Sequence, residues 1–278
     1  MNLSVTPNES VRFKIRHEDE DVIVVEKPPG LVTQPGKGHE HDTLLNGLFA
    51  VHGAQLQNLG KARDFGLLHR LDRQTSGLVL FALRPRAYDA LREAFSTRRV
   101  RKFYWAVAGR APKKPSGVIR RPILEETDEM KTARISAAGK PALTAYRVLQ
   151  VATVGERGAA LLECRPVTGR LHQVRVHLKS IGCPILGDAL YGPRSLAKAA
   201  PRVALHAHRL VFKHPTSGAT IDVQSPWPAD LKSLLKRLGI ERPDVPGAAA
   251  ARSESADQLE DDGIGEEEPG VGEAPAPE

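Results

Sequence analysis

Short apolar runs closed by turn residues dominate the chain, with a few stretches at helical spacing between them. In DVIVVEKPPG the β-branched run 22–25 ends at Pro28, Pro29 and Gly30, which predicts a strand entering a rigid turn. Residues 66–82 set a turn between two apolar runs. From 86 to 97, Ala87, Ala90, Leu91, Ala94 and Phe95 recur at helical spacing. Arg86, Asp89, Arg92, Glu93 and Ser96 fall largely on the other side, so this is a surface helix over a core. Alternation predicts a strand at 103–107, and further strands are expected at 143–151, 159–165, 204–213 and 219–223. The segment PADLKSLLKRL, 228–238, reads as a closing helix.

One segment fits two periods. In RLHQVRVHLKS, 170–180, Leu171, Val174, Arg175 and Leu178 share a helical face, while Val174, Val176 and Leu178 alternate as in a strand. As a helix it would take Thr168 as N-cap and put Arg175 on or beside the buried face. A buried guanidinium requires an anion, because an unpaired buried charge is expensive. Many strands with interspersed helices predict an α+β domain with a mixed sheet; a doubly wound fold, which needs regular alternation, ranks second.

Composition adds a division. The chain of 278 residues has a formal charge of +7, but from Val245 onward it holds ten acids and one cation, Arg252, which leaves +16 over positions 1–244. That body calls for a polyanionic partner, nucleic acid ahead of an anionic membrane. The stretch 245–278, rich in Gly, Pro, Ala and acids, has too little apolar content to fold and is expected to be a disordered acidic tail. No apolar run approaches the roughly 20 residues of a membrane helix, and the N-terminus lacks a signal-peptide pattern, so a cytoplasmic protein is expected. Cys164 and Cys183 sit in apolar segments and read as reduced, buried thiols.

Metal and hydrolase chemistry find little support. His39/His41, His172/His177 and His206/His208 lack the spacing and companions of a zinc site, so no metal is expected. Ser76 lacks the GxSxG context of a nucleophile elbow, and phosphate-loop and dinucleotide signatures are absent. RRVRK, 98–102, followed by Phe103, Tyr104 and Trp105, suits phosphate contacts beside base stacking, or else a solvated helix end before a core strand. In LLHRLDRQTSGLVLF, 67–81, a lone acid, Asp72, stands between Arg70 and Arg73. Neighbouring guanidinium groups favour a charged carboxylate, suited to nucleophilic attack and unsuited to general acid work. Spacing alone leaves two readings: nucleophile, or counter-ion shaping a turn.

Three ordered segments, DVIVVEKPPGLVTQPG (21–36), LLHRLDRQTSGLVLFA (67–82) and RPVTGRLHQVRVHLKSIGCPILGDALYG (165–192), resemble the motifs of the RluA family of pseudouridine synthases. LHAHRLVFKHPTSG, 205–218, resembles a later sheet segment of that family, and the resemblance spans about 13–238. It implies a largely antiparallel mixed sheet flanked by helices and loops around an active-site cleft, and an enzyme that isomerises uridine in structured ribosomal or transfer RNA without a cofactor. By the same resemblance Asp72 is the nucleophile, Tyr104 packs on the base and takes the C5 proton, and Arg175 pairs with Asp72. Arg70 helps hold the target nucleotide out of its stack. Leu71, Arg73, Lys102, Arg170, His172 and Gln173 complete the expected substrate-binding set.

The resemblance also implies a domain organisation. Residues 1–244 form the catalytic domain, with its core at about 13–240. Only about 20 residues precede the first motif, so the ribosomal-protein-like N-terminal RNA-binding domain of many members is not expected, nor is an obligate protein partner; a monomer is. Target choice would rest on the catalytic surface and on the charged, turn-rich stretch 113–140. A catalytically silent RNA-binding protein on the same scaffold is the alternative, and a metal-dependent nuclease is a weaker rival for want of acids beside Asp72.

Overall fold

The structure is a computed structural model that describes residues 3–126, 131–152 and 158–243. The acidic tail expected at 245–278 lies outside the described residues. In chain order the strands are β1 (Lys14–Glu18), β2 (Val22–Lys27), β3 (Ser76–Ala82), β4 (Arg101–Ala108), β5 (Ser116–Arg120), β6 (Ile123–Glu125), β7 (Ala133–Ile135), β8 (Leu143–Val151), β9 (Ala160–Pro166), β10 (Leu205–Lys213) and β11 (Thr220–Gln224). The helices are α1 (Leu44–Leu59), α2 (Pro85–Ser96), α3 (Gln173–Ser180), α4 (Arg194–Ala197) and α5 (Lys232–Leu238).

Nine strands form one sheet in the order β1-β2-β3-β10-β4-β9-β8-β5, with β11 beside β10, and β6 and β7 make a separate hairpin. Among the described residues only the β3/β10 contact is parallel, and the other strand pairings are antiparallel. The α+β expectation with a mixed, mostly antiparallel sheet therefore holds. Strands β2 and β3 are interior to the sheet and largely apolar. All seven residues of β3 are buried, and Leu80 and Phe81 are wholly so. Burying each such side chain contributes about 1.5–3 kcal/mol. Where β3 meets β10, Gly77 is obligatory: its φ is +122°, and a Cβ there would lie 2.3 Å from the Ala207 carbonyl oxygen.

One transverse row of the sheet fixes where chemistry can occur. Lys27, Gly77, Ala207, Tyr104, Cys164, Tyr146 and Gly117 are cross-strand partners in succession, from β2 to β5. Directly opposed residues point to the same face, so these side chains share one. The other face buries Trp105 stacked on His208 at 3.9 Å, with Glu163 Oε1 3.2 Å from His208 Nε2. His206 bonds Ser76 and Ser225, so both of these histidines are engaged inside the fold.

Several elements depart from the sequence reading. Helix α1 had no counterpart in it; Gly47 and Gly53 dilute its apolar stripe, although Thr43 and Asn46 form a reciprocal capping box at its start. On α2, Ala90 is exposed and Tyr88 takes the buried place. Segment 170–180 resolves as a helix, but its N-cap is His172; the Thr168 hydroxyl instead accepts from the Leu143 amide and donates to Gln173. The stretch 113–140, expected as charged turns, builds the edge strand β5 and the β6/β7 hairpin, because Ile119, Ile123 and Ala133 are buried. The closing helix splits into a 3-10 turn, Ala229–Leu231, and α5.

Candidate active site

The turn between the Leu67–Leu68 apolar pair and β3 carries Asp72, and it is pinned from behind by its backbone. The Arg73 carbonyl accepts from the Gly30 amide at 2.8 Å and from Lys27 Nζ at 3.2 Å. Lys27 is wholly buried, and its Nζ also donates to the carbonyls of Pro28 and Leu31, at 2.9 and 2.8 Å. Burial pulls its pKa down to about 7, with Asp72 pulling the other way. Arg202, buried on the far side of the turn, donates to the Gln74 carbonyl at 3.2 Å and to Ser76 Oγ at 2.9 Å, while Asp230 takes its Nε at 2.7 Å. Thr33 Oγ1 donates to the Leu71 carbonyl at 3.0 Å. Successive peptide groups thus face inward, and the Asp72 carboxylate, 23% exposed, is left facing out.

Across from it stands α3. Arg175 Nη1 donates to Asp72 Oδ2 at 3.1 Å, and Nε and Nη2 grip Asp188 at 2.8 and 2.9 Å. Asp188 is 1% exposed and also accepts the amides of Leu190 and Tyr191, both at 3.1 Å. Burial alone would lower the Arg175 pKa, but Asp188 and then Asp72 outweigh it and hold the guanidinium more firmly charged. Asp188 behaves reciprocally: burial would raise its pKa, and Arg175 takes it below the usual range. The anion demanded for a buried Arg175 is therefore two carboxylates.

His172 has φ +51°, a left-handed conformation uncommon for a residue with a Cβ. Its Nδ1 lies 2.8 Å from the Tyr191 hydroxyl, which itself accepts the Ala133 amide at 2.9 Å. Burial lowers its pKa, with Asp72 opposing. Its Nε2 faces Asp72 at 3.9 Å. Tyr104, 8% exposed, is close enough to feel Asp72: burial first, and that charge second, push its phenol pKa far up.

The remaining expected residues divide. Arg70 is exposed beside the site. Arg73 donates Nε to the Gly30 carbonyl at 3.1 Å, joining two of the resembling motifs. Leu71 is in the core. Gln173 has no capacity left for a substrate: Oε1 takes the Thr168 hydroxyl and Arg170 amide, and Nε2 donates to Leu143 O and Thr144 Oγ1, so it braces the helix start. Arg170 Nε bonds the Pro141 carbonyl at 3.1 Å. Lys102 lies 5.5 Å from the Phe95 ring centroid, and burial lowers its pKa to about 8. Lys27, Asp188, Tyr191 and Arg202 escaped the sequence reading. Of these, Lys27, Asp188 and Tyr191 lie inside the quoted motifs EKPPG and GDALYG.

Comparison with known proteins shows the family of the chain. Residues 21–180 match the family model described as RNA pseudouridylate synthase, and the chain belongs to that family. Ribosomal large subunit pseudouridine synthase D of Nitrosomonas europaea is 40% identical over 238 residues, covering 83% of this chain and 66% of that protein. An uncharacterized RNA pseudouridine synthase of Bacillus subtilis, YlyB, is 36% identical, covering 83% and 74%. Among solved structures, human RNA pseudouridylate synthase domain containing 1 superposes with a TM-score of 0.64 at 27% identity, covering 92% of this chain and 96% of that one.

Proposed function

We propose that the protein isomerises specific uridines of structured RNA to pseudouridine, with Asp72 as the nucleophile. The observation that carries this reading is the Asp72–Arg175 contact, which joins the HRLD turn to α3 in a chain of this family. The N1–C1′ bond breaks, and its electron pair leaves with uracil as an anion. The carboxylate of Asp72 either bonds to C1′ or removes a sugar proton to give an unsaturated intermediate. The base turns and C5 bonds to C1′ as the Asp72–C1′ ester bond breaks or, on the unsaturated route, as Asp72 returns its proton to the sugar; a proton then passes from C5 to N1, so atoms and charge balance with no cosubstrate and the carboxylate is regenerated.

Arg175 aims the carboxylate and is itself held by Asp188. A neutral Tyr104 suits a stacking platform that excludes water from the leaving base better than it suits a base for the C5 proton. Arg70, exposed two residues before Asp72, would occupy the gap left by an extruded nucleotide.

The relatives named for the ribosomal large subunit favour large-subunit ribosomal RNA over transfer RNA. Incubating the protein with unmodified large-subunit ribosomal RNA, then digesting and measuring pseudouridine by mass spectrometry, tests this. Pseudouridine at a reproducible position is expected. None on ribosomal RNA, with conversion of transfer RNA, would reassign the target.

A further inference from the structure

His172 differs from His177 and His206 in how it spends its ring. His177 uses both nitrogens inside the fold, Nδ1 on Thr144 Oγ1 and Nε2 on the Arg121 carbonyl, each at 2.9 Å. His206 does the same with Ser76 and Ser225. His172 spends only Nδ1, on the Tyr191 hydroxyl at 2.8 Å. Its Nε2 has no hydrogen-bond partner among the described residues and is not sealed from solvent, although the side chain as a whole is only 13% exposed.

The direction of that open nitrogen is fixed from several sides. Tyr191 is held by the Ala133 amide on its hydroxyl, by Asp188 on its own amide, and by the Arg175 guanidinium 4.9 Å from its ring centroid. Its ring meets the imidazole edge-on, with centroids 5.5 Å apart. The left-handed backbone of His172, at φ +51°, costs energy, and such conformations cluster at sites where a side chain must be aimed.

The target of the aim is the catalytic carboxylate. Nε2 lies 3.9 Å from Asp72 Oδ2, too far for a direct hydrogen bond. One oxygen atom fits against both groups, since contacts of about 2.8 Å on either side span such a gap. That oxygen has to donate to the carboxylate and also meet a ring nitrogen, which a hydroxyl can do and an ether oxygen cannot. Asp72 Oδ1 takes no hydrogen bond from the described residues and stays open to the sugar. On either route of the reaction the carboxylate works at C1′ or at the hydrogen of the neighbouring C2′, and C2′ carries the 2′-hydroxyl.

We propose that His172 Nε2 binds the 2′-hydroxyl of the target uridine and holds it against Asp72, so that the site selects ribose over deoxyribose at the reacting nucleotide. The inference rests on the reading of Asp72 as the group that acts on the sugar. His172 is then a specificity residue, and Tyr191 a positioning residue that acts through it. The 2′-hydroxyl is the group by which a protein tells RNA from DNA at a given site.

The test uses the full chain with large-subunit ribosomal RNA transcripts made with uridine or with 2′-deoxyuridine at the uridine positions. His172→Asn suits a left-handed backbone and keeps a polar group where Nδ1 meets Tyr191, but has no atom in the place of Nε2. The wild type should bind the deoxyuridine transcript about tenfold more weakly, with a matching fall in kcat/KM for pseudouridine formation. His172→Asn should lose about the same factor on the uridine transcript and little more on the deoxyuridine one, so that the two changes are not additive. His172→Gln, whose amide reaches the Nε2 position, should recover part of the discrimination. Equal Kd values of the wild type for the two transcripts would overturn the proposal. So would an equal deoxyuridine penalty in the wild type and both variants, which would mean that the hydroxyl is read elsewhere. A wild type that discriminates in Kd through His172 yet forms no pseudouridine on any RNA would fail the reading of the reaction and support the recognition.

Discussion

The guanidinium of Arg175 reaches across 103 residues of chain to donate to Asp72 at 3.1 Å, and that contact joins the two halves of the site. Its strength depends on Asp188, which holds the other two nitrogens from a position almost sealed from water. The carboxylate facing solvent is thus aimed by one that is not.

Removing Arg175 strands Asp188 as a buried, unpaired charge. Arg175→Ala is expected to destabilise the fold by about 3–5 kcal/mol, read as a lowered urea midpoint. Asp188→Asn keeps the shape and loses the charge, so it should lower kcat by at least about tenfold with KM little changed. An unshifted midpoint in Arg175→Ala would show that the pair is not buried in solution.

Arg202 should matter for the same turn from the other side. It donates to Gln74 and Ser76 and is anchored by Asp230, so Arg202→Ala leaves two turn acceptors and a carboxylate without their donor. A loss of about 2–4 kcal/mol is expected, with faster amide exchange across residues 72–76. Arg202→Lys, which keeps the charge but not the fork, should recover only part of it.

Acid should unfold the protein through its histidines before its carboxylates. Burial lowers the pKa of His69 and His206 to about 3 each. These side chains stay neutral in the fold but protonate in the unfolded chain near 6.5, so the unfolded state binds more protons between the two values. Stability should therefore fall as pH drops from about 6.5 toward 3. Urea midpoints at pH 7 and 4.5 check the sign, and equal midpoints would mean that neither ring is buried.

Strands β2, β4 and β8 to β11 and two helices were legible because period and turn residues agreed, whereas β1, β5, β6 and β7 were not read. Asp72, Tyr104 and Arg175 acquired roles in the sequence only through resemblance, since spacing left Asp72 open to a counter-ion reading. Arg70 and Arg73 looked like its partners because they adjoin it. In the fold, Arg73 turns to Gly30, while Arg175 arrives on α3. Asp188, Lys27 and Arg202 were illegible as parts of the site, because each acts through backbone or side-chain partners brought together only by long-range pairing. Gln173 was listed for substrate through the resemblance alone; in the fold its side chain bonds Thr168, the Arg170 amide, the Leu143 carbonyl and Thr144 at the start of α3.

Asp72 is proposed to act directly on the sugar, at C1′ or on a sugar proton. Asp72→Asn, isosteric and uncharged, should be assayed beside the wild type on the same RNA, with pseudouridine yield and Kd measured together. No pseudouridine, with a Kd within about twofold of wild type, is the expected result. Turnover near the wild-type rate would remove Asp72 from the chemistry and leave it a counter-ion of Arg175.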